Sequence, residues 1–209
     1  MKQLKLAAGL AAVLLASGAT VANAGGYIGL DAGLAAVDQE STVRQMGQAL
    51  ADASGNPVTM VYDKSTSIGR IFAGMNIAQG IDIEVGYLKS GDLSATYTGT
   101  AGNTAYSLNT DISASGFDVA AVSWLTENIF LKGGAHVLEM KGSFTADVSG
   151  NSETYGDTLS GTGFLLGLGY EGALSNDVNW RAAYSYYGYI AGDSDTDAHI
   201  LTLGLKMKF

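Results

Sequence analysis

The sequence predicts an all-β fold, an eight-stranded antiparallel up-and-down transmembrane β-barrel. Three observations lead to this prediction: apolar residues alternate with small or polar ones, short and long connections take turns, and glycines populate the less apolar face of the segments. A period of two is typical of a strand whose two faces meet different surroundings. Alternating short and long connections give one end of the sheet tight turns and the other end long excursions, as in outer-membrane barrels.

The last segment keeps its period to the final residue of the chain. Large apolar residues from Leu201 to Phe209 share one face, and Lys206 and Gly204 lie on the other. Chain ends usually fray, so this regularity indicates a last strand that pairs with the first and closes a barrel. By the same criterion, strands are predicted at 26–37, 66–78, 81–91, 112–125, 129–142, 161–171, 178–190 and 197–209.

The N-terminal segment has the features of a secretory signal peptide. Lys2 and Lys5 precede an apolar run from Leu6 to Ala16, and Ala22-Asn23-Ala24 is a small-x-small cleavage signal. The alternative is a membrane anchor, but the run is shorter than the ~20 residues that span a bilayer. We therefore expect a cleaved segment at 1–24 and a barrel domain at 25–209.

The composition excludes several other classes of protein. The formal charge of -9 leaves no basic surface for nucleic acid. With Cys 0, an exported chain cannot be a small scaffold held by disulfides. Gly 29 beside Pro 1 indicates that the glycines lie within ordered structure rather than in disordered loops.

The connections come in two sizes. Those at 79–80, 126–128 and 172–177 are short, whereas 38–65, 92–111 and 143–160 are long and rich in Ser, Thr, Gly, Asn and Asp. Within the long ones, turn dipeptides such as Gly102-Asn103 and a continuing alternation indicate that some strands extend as hairpins, and a short helix is weakly indicated at Met46–Ala51.

The two faces of the predicted strands differ in a way that favours lipid outside. A soluble sandwich or closed barrel would also alternate, but its water-facing side would not need glycines, which weaken strands and occur where space is short. A barrel of about eight strands has an interior just wide enough to be filled by side chains. The predicted interior face contains Gly29, Gly33, Gly74, Gly86, Gly167, Gly169 and Gly204 with Asp31, Arg70, Glu84, Lys132 and Arg181, and the predicted lipid face contains Ile28, Leu30, Ala32, Leu34, Ile83, Val85, Tyr87, Leu166, Leu168 and Tyr170.

Aromatic residues cluster near the short turns of this strand map. Trp124, Tyr170, Trp180 and Phe209 all fall there. Trp and Tyr prefer membrane interfaces, where the ring is buried and the polar atom stays wet. The alternative interpretation is a set of ordinary core aromatics in a soluble sheet.

Five segments together resemble the transmembrane domain of outer membrane protein A and the wider superfamily of small outer-membrane β-barrels. They are GYIGLDAG, IDIEVGYL, FLLGLGYEG, VNWRAAYSYY and the terminal LTLGLKMKF. The resemblance covers most of the chain after residue 24 and implies a location in the outer membrane. It also implies that Phe209, Leu205 and Leu203 form the terminal signal read by the barrel assembly machinery. Because the chain ends at the barrel, the cell-wall-binding domain of that family is not expected.

The same resemblance implies an interior pair of Glu84 and Arg181. An arginine facing lipid at the bilayer midplane would cost about 2–4 kcal/mol, so an inward Arg181 is also the cheaper placement. The pair could act as a gate that opens a narrow path, or belong to a static filled lumen completed by Asp31, Arg70, Lys132 and Asp82; we favour the filled lumen. Ala121 and Gly169 stand where further interior charges are expected, which would leave room for water.

Three other features of the sequence give weaker indications of a functional site. His136 is expected inside and His199 outside, and neither has a partner suited to catalysis. Asp193, Asp195 and Asp197 resemble the start of a calcium loop but lack its glycine and distal glutamate, so a solvated acidic tip is the better interpretation and no metal site or cofactor is expected. Asp118 is in conflict with the alternation if Trp124 faces lipid, unless a bulge, a change of register or a position above the membrane intervenes.

These observations predict a non-enzymatic outer-membrane barrel with a filled polar lumen. Its long surface loops would serve envelope integrity or adhesion, through a ligand of 38–65, 92–111 or 143–160. The alternative is a narrow pore or conduit for small, including hydrophobic, solutes, and a lipid-modifying enzyme is the least favoured class. The expected partners are outer-membrane lipids, lipopolysaccharide and the assembly machinery, and the barrel is expected to be a monomer.

Overall fold

The computed structural model describes residues 25–37, 40–194 and 196–209. The expected signal peptide at 1–24 lies outside the described residues. No helix in the described ranges is long and apolar enough to cross a bilayer. The elements are β1 (Gly26–Ala36), α1 (Glu40–Ser54), β2 (Thr59–Tyr62), β3 (Ser65–Ala78), β4 (Ile81–Ser90), β5 (Leu93–Ala101), β6 (Thr104–Trp124), β7 (Ile129–Val148), β8 (Asn151–Ala173), β9 (Val178–Gly188), a 3-10 helix (Ile190–Gly192) and β10 (Asp197–Lys208).

Eight of the strands form a closed antiparallel ring in the order β1-β3-β4-β6-β7-β8-β9-β10, and β10 pairs with β1. Each ring strand coincides with one of the eight predicted strands, so the predicted fold class is confirmed. The terminal residue is held in this closure, because the Phe209 amide donates to the Gly26 carbonyl at 3.0 Å. The regular period at the chain end is therefore explained by pairing with the first strand.

Strands β6, β7 and β8 continue well beyond the ring at the end with the long connections. There β5 pairs with β6 and β2 pairs with β5, giving a five-stranded sheet in the order β2-β5-β6-β7-β8. We call this region the head; it comprises α1, β2, β5 and residues 104–112, 142–148 and 151–160. The prediction that strands extend as hairpins is confirmed, but the interpretation of 38–65, 92–111 and 143–160 as polar loops is wrong, since most of their residues lie in helix or strand.

Helix α1 packs on one face of the head sheet. Its Val43 is buried against Ala95 and Tyr97 of β5, and Leu50, Met60 and Leu108 pack around them. Glu40 and Arg44 form an i,i+4 ion pair at 2.8 Å, and Gly55 ends the helix with φ +68, a left-handed conformation that glycine adopts freely. The helix predicted at Met46–Ala51 is confirmed, but it begins six residues earlier and ends three residues later.

The apolar face of the sheet changes sides between the ring and the head. On β8, the residues that point away from the barrel axis are Leu168, Leu166 and Phe164 in the ring, but Ser160 and Thr158 in the head. The opposite face follows the reverse course, from small and charged residues in the lumen to Leu159 and Tyr155 above it. The face that α1 covers is continuous with the lumen face, because Tyr97 pairs with Leu108, Leu108 with Ala146 and Ala146 with Glu153.

Candidate functional site

A belt of six charged side chains crosses the lumen, one from each of six ring strands. They are Asp31 of β1, Arg70 of β3, Glu84 of β4, Asp118 of β6, Lys132 of β7 and Arg181 of β9, and all are buried. Their strands place them there by alternation alone, since every second residue of a ring strand points inward. Small neighbours make room: a Cβ on Gly86 would collide with the Arg70 guanidinium, and one on Gly204 with the Asp31 carboxylate.

The two arginines hold the strongest contacts of this belt. Arg70 donates to both Asp118 oxygens, at 2.8 and 2.6 Å, and to Glu84 Oε2 at 3.2 Å. Arg181 Nη1 donates to the other oxygen of Glu84 at 2.8 Å. Fork-shaped guanidinium contacts of this kind fix geometry as well as charge. The three carboxylates and three cations also neutralise one another, which buried charges require.

Asp31 and Lys132 are held more loosely. Asp31 lies 3.4 Å from Arg70 Nη1 and 3.6 Å from Arg181 Nε, and Lys132 Nζ lies 4.0 Å from Glu84 and 3.9 Å from Asp118. A cavity of about 20 Å³ lies among these groups, enough for about one water molecule. The belt is therefore tightly packed on its arginine side and slightly open beside Asp31 and Lys132.

Apolar side chains fill the lumen on both sides of the belt. Toward the head, a plug is formed by Ala35, Ile68, Leu88, Ala120, Leu138, Leu165, Tyr187, Ile190, Ala198 and Ile200. Toward the short turns, Phe72 and Phe130 place their rings within 4.8 Å of the guanidinium carbons of Arg70 and Arg181. Charges and apolar layers together occupy the cross-section of the barrel.

A second polar group lies at the short-turn end of the lumen. Lys206 Nζ contacts Glu171 at 2.6 Å, Asn179 donates to the same Glu171 oxygen at 2.5 Å, and the Trp124 indole donates to Asp82 at 3.0 Å. An open vestibule of about 270 Å³ is lined by these residues. The lumen is thus polar at this mouth and apolar at the other.

The structure corrects the placement of Trp124 and resolves the conflict at Asp118. Trp124 does not face lipid, since its ring packs inside against Phe130 at 5.4 Å. Asp118 has the same parity and is buried in the belt, so regular alternation holds without a bulge. Tyr170 and Trp180 do lie together on the outer surface at the short-turn end, with ring centroids 5.4 Å apart.

Two further expectations about the lumen are wrong. Ala121 lies on the outer surface and not inside. Gly169 is inside, but it leaves no room for water, because a Cβ there would collide with the Phe130 ring. Sequence reasoning also missed Asp118, Glu171 and Lys206 as interior partners, although their parity with Lys132, Gly169 and Gly204 on paired strands could have revealed them.

The two histidines and Asp197, the other candidates from the sequence, do not belong to the charge belt. His136 lies inside the plug, with Nε2 at 3.0 Å from the Gly188 carbonyl, and His199 lies outside, where its Nδ1 meets the Tyr184 hydroxyl at 2.5 Å. Of the acidic triplet, Asp195 lies outside the described residues. Asp197 accepts a hydrogen bond from Tyr186 at 2.9 Å, and in the described ranges no cluster of His, Asp and Glu has the geometry of a metal site.

A closed barrel with an apolar outer surface, a neutralised polar belt and aromatic residues at its rim is the architecture of a β-barrel membrane protein. The chain belongs to the outer membrane protein beta-barrel domain family, whose model matches residues 6–209. It is therefore an outer-membrane protein, and its outward apolar residues, among them Leu166 and Leu203, contact lipid. In barrels of this class the short turns face the periplasm and the long excursions face outward.

Solved structures share this fold at low sequence identity. The attachment invasion locus protein Ail of Yersinia pestis is 13% identical, with 89% of this chain and 99% of that chain covered and a TM-score of 0.56. The structure of Ail in complex with the heparin analogue sucrose octasulfate is 12% identical, with 88% and 99% covered and a TM-score of 0.52. The outer membrane protein OprG of Pseudomonas aeruginosa is 12% identical, with 89% and 96% covered and a TM-score of 0.41. No curated protein sequence matches the chain.

Proposed function

We propose that the protein is a non-conducting outer-membrane barrel that presents its head to the outside for contacts at the cell surface. The observation that carries this proposal is the division of the chain into a lumen filled by charges and apolar side chains and a head built from ordered strands and a packed helix. A filled barrel offers solutes no wide path, whereas a rigid scaffold that displays a folded surface is suited to binding.

The charge of the head favours a cationic partner over an anionic one. The segments that make up the head contain one basic residue, Arg44, and six acidic residues: Glu40, Asp52, Asp111, Asp147, Glu153 and Asp157. The structure of Ail with sucrose octasulfate shows a polysulfated molecule on that protein. The acidic head of this chain would repel such a ligand, so we do not carry heparin-like binding over. Divalent cations between the head and lipopolysaccharide remain compatible with this charge.

A narrow conduit for small solutes is the second candidate function. The loose contacts of Asp31 and Lys132 and the cavity of about 20 Å³ beside them favour it. Opening it would require both a rearrangement of the Glu84 contacts and a displacement of the apolar plug. The switch of one ion pair is not sufficient, and the non-conducting function is the better supported.

Catalysis is not part of the proposal. His136 is committed to a backbone carbonyl inside the plug, and His199 pairs with Tyr184 on the outer surface. Among the described residues, neither histidine contacts a serine or threonine hydroxyl that it could activate. Membership of the outer membrane protein beta-barrel domain family also favours a non-enzymatic function.

Insertion into the membrane would depend on the chain end. Phe209, Leu205 and Leu203 lie on the outer surface of β10, exposed and in line. This arrangement supports their role as a terminal signal for the barrel assembly machinery, after export directed by residues 1–24. We further propose that the barrel acts as a monomer.

Two measurements test the proposed function. Purified protein in planar bilayers should show only rare, small openings, and frequent long-lived conductance would favour the conduit. Cells that carry a variant with 92–111 and 143–160 each replaced by a short Gly-Ser turn should lose surface attachment while the barrel still inserts, as judged by its heat-dependent gel mobility. Unchanged attachment by this variant would contradict the proposal.

A further inference from the structure

Strand β8 leaves the ring with one edge unpaired. Its residues pair with β7 from Asn151 to Tyr170, but pairing with β9 begins only at Phe164. The 3-10 helix packs so closely on Gly161 that a Cβ at this position would collide with the backbone of Ala191. Among the described residues, Asn151–Ser160 therefore has no strand on its outer side, and alternate backbone N–H and C=O groups of this segment point away from β7. Within the segment, the Thr158 N–H donates to the neighbouring Asp157 carboxylate at 2.7 Å.

This edge has only part of the protection that is usual for an exposed strand, namely the carboxylates of Glu153 and Asp157. The β7–β8 ladder runs through twenty pairs in one register without a bulge. The sequence NSETYGDTLS contains no Lys, Arg or Pro, the residues that commonly block edge pairing. The opposite edge of the head sheet, β2, has only four residues. The long and regular edge is thus the one open to a further strand.

The side chains along the edge define what kind of strand would fit. The face of β8 that continues the lumen face is here called the concave face. On it, Glu153, Tyr155, Asp157 and Leu159 occupy every second position, so acidic and apolar groups alternate. Tyr155 is 63% exposed and Leu159 53% exposed. The opposite, convex face carries Ser152, Thr154, Gly156, Thr158 and Ser160. A strand laid beside this edge would meet carboxylates and apolar groups in turn on one face, and hydroxyls on the other.

We infer that Asn151–Ser160 is a docking edge for an extended cationic peptide segment, in which Lys or Arg alternates with apolar residues on one face. Backbone hydrogen bonds along the edge supply affinity, and the cross-strand partners of Glu153 and Asp157 supply specificity. A second copy of this edge fits less well, because NSETYGDTLS contains no cationic residue to pair with Glu153 and Asp157. This inference rests on the proposed function and names the chemistry of its partner.

The probe for this inference is the labelled, end-blocked octapeptide Lys-Thr-Val-Thr-Lys-Thr-Val-Thr, added to the full protein in lipid nanodiscs. Saturable binding by fluorescence anisotropy is expected, together with slower hydrogen exchange of amides within 151–160. A version with every residue N-methylated keeps its charges but can donate no backbone hydrogen bond from either of its edges, and it should bind at least tenfold more weakly. Equal binding of the two peptides would overturn the inference, since charge alone would then explain the affinity.

Variants of the protein separate the edge from the general acidity of the head. E153Q combined with D157N should weaken binding of the octapeptide by about three- to tenfold at low salt, as expected for two exposed charge pairs. D147N removes a carboxylate from the convex face at the same height, next to Ser152 across the ladder, and should leave binding unchanged. An equal loss of octapeptide binding with D147N would contradict docking at this edge. So would slower hydrogen exchange in α1 instead of β8.

The outcomes also distinguish this inference from the proposed function. Octapeptide binding by a protein that conducts ions freely would leave the edge in place and remove the non-conducting function. Head-dependent attachment of cells without any octapeptide binding would keep the proposed function and overturn the edge as its contact.

Discussion

The ring and the head are built from the same strands, yet they bury opposite faces. On β8, Leu166 and Leu168 point outward in the ring, whereas Tyr155 and Leu159 point to the concave side in the head. The change occurs near Phe164, where β8 leaves β9. The β7–β8 ladder thus keeps one register from the lipid-facing ring to the water-facing head.

This difference shows that the surroundings, rather than the strand itself, decide which face is apolar. In the ring the outer face meets lipid, and the inner face must satisfy charges within a narrow lumen. In the head the outer face meets water, so hydroxyl-bearing residues occupy it, and apolar residues gather under α1. The level of the reversal on β6, β7 and β8 marks where the sheet leaves the membrane.

The largest effect is expected from breaking the charge belt. Glu84→Ala removes the carboxylate that accepts from both Arg70 and Arg181, and leaves buried cations without compensation. Removal of one partner from a buried ionic cluster costs about 3–5 kcal/mol. Urea unfolding of the barrel in lipid vesicles, followed by tryptophan fluorescence, measures this loss. Leu203→Ala on the lipid face is the control, and a loss for Glu84→Ala no greater than for this control would show that the belt is not needed for stability.

The second prediction compares the same substitution in the two regions of one strand. Leu166→Arg places a charge on the lipid-facing side of the ring and should cost about 2–4 kcal/mol of barrel stability. Thr158→Arg lies on the same face of β8, eight residues away in the head, and should change stability by no more than about 0.5 kcal/mol. The free energy of unfolding in vesicles measures both. Similar costs for the two variants would place the membrane boundary elsewhere.

Alternation alone could predict the ring and most of the belt. Parity places Asp31, Glu84 and Arg181 in the lumen, and it is reliable in a closed barrel because a shift by one residue would expose every charge to lipid. The same rule would have placed Asp118 correctly. The general preference of tryptophan for interfaces predicts the opposite placement, but Trp124 satisfies its indole N–H inside the barrel through Asp82.

The head could not be predicted to the same extent. The alternation of Leu93, Ala95 and Tyr97 is visible in the sequence, but Val43, the helix residue that packs on Ala95 and Tyr97, lies more than fifty residues earlier, and local patterns do not specify such a contact. The pairing of the short β2 with β5 is likewise non-local. Polar turn residues dominate these segments, so their composition resembles that of loops.

The third prediction concerns the independence of the head. Val43→Ala should loosen α1 from the sheet, because Val43 is buried against Ala95 and Tyr97, and the cost should be about 1–2 kcal/mol. The effect should be confined to the head, since α1 makes its main contacts with β2 and β5. Limited proteolysis should cut α1 faster, while urea unfolding of the ring stays unchanged. A parallel loss of ring stability would show that head and ring unfold together.

The smallest effect is a pH dependence of helix α1. The Arg44 guanidinium, through a hydrogen bond and its charge, lowers the pKa of the Glu40 carboxyl below its usual value of 4.5. A carboxyl whose pKa is lower in the folded state stabilises that state above its unfolded pKa, and this contribution is lost as the pH falls through the folded value. Amide exchange in α1, corrected for intrinsic rates, should therefore show weaker protection below about pH 4.5. Glu40→Gln should remove this dependence and leave the ring unaffected at every pH, and an unchanged pH profile in that variant would assign the effect to another group of the head.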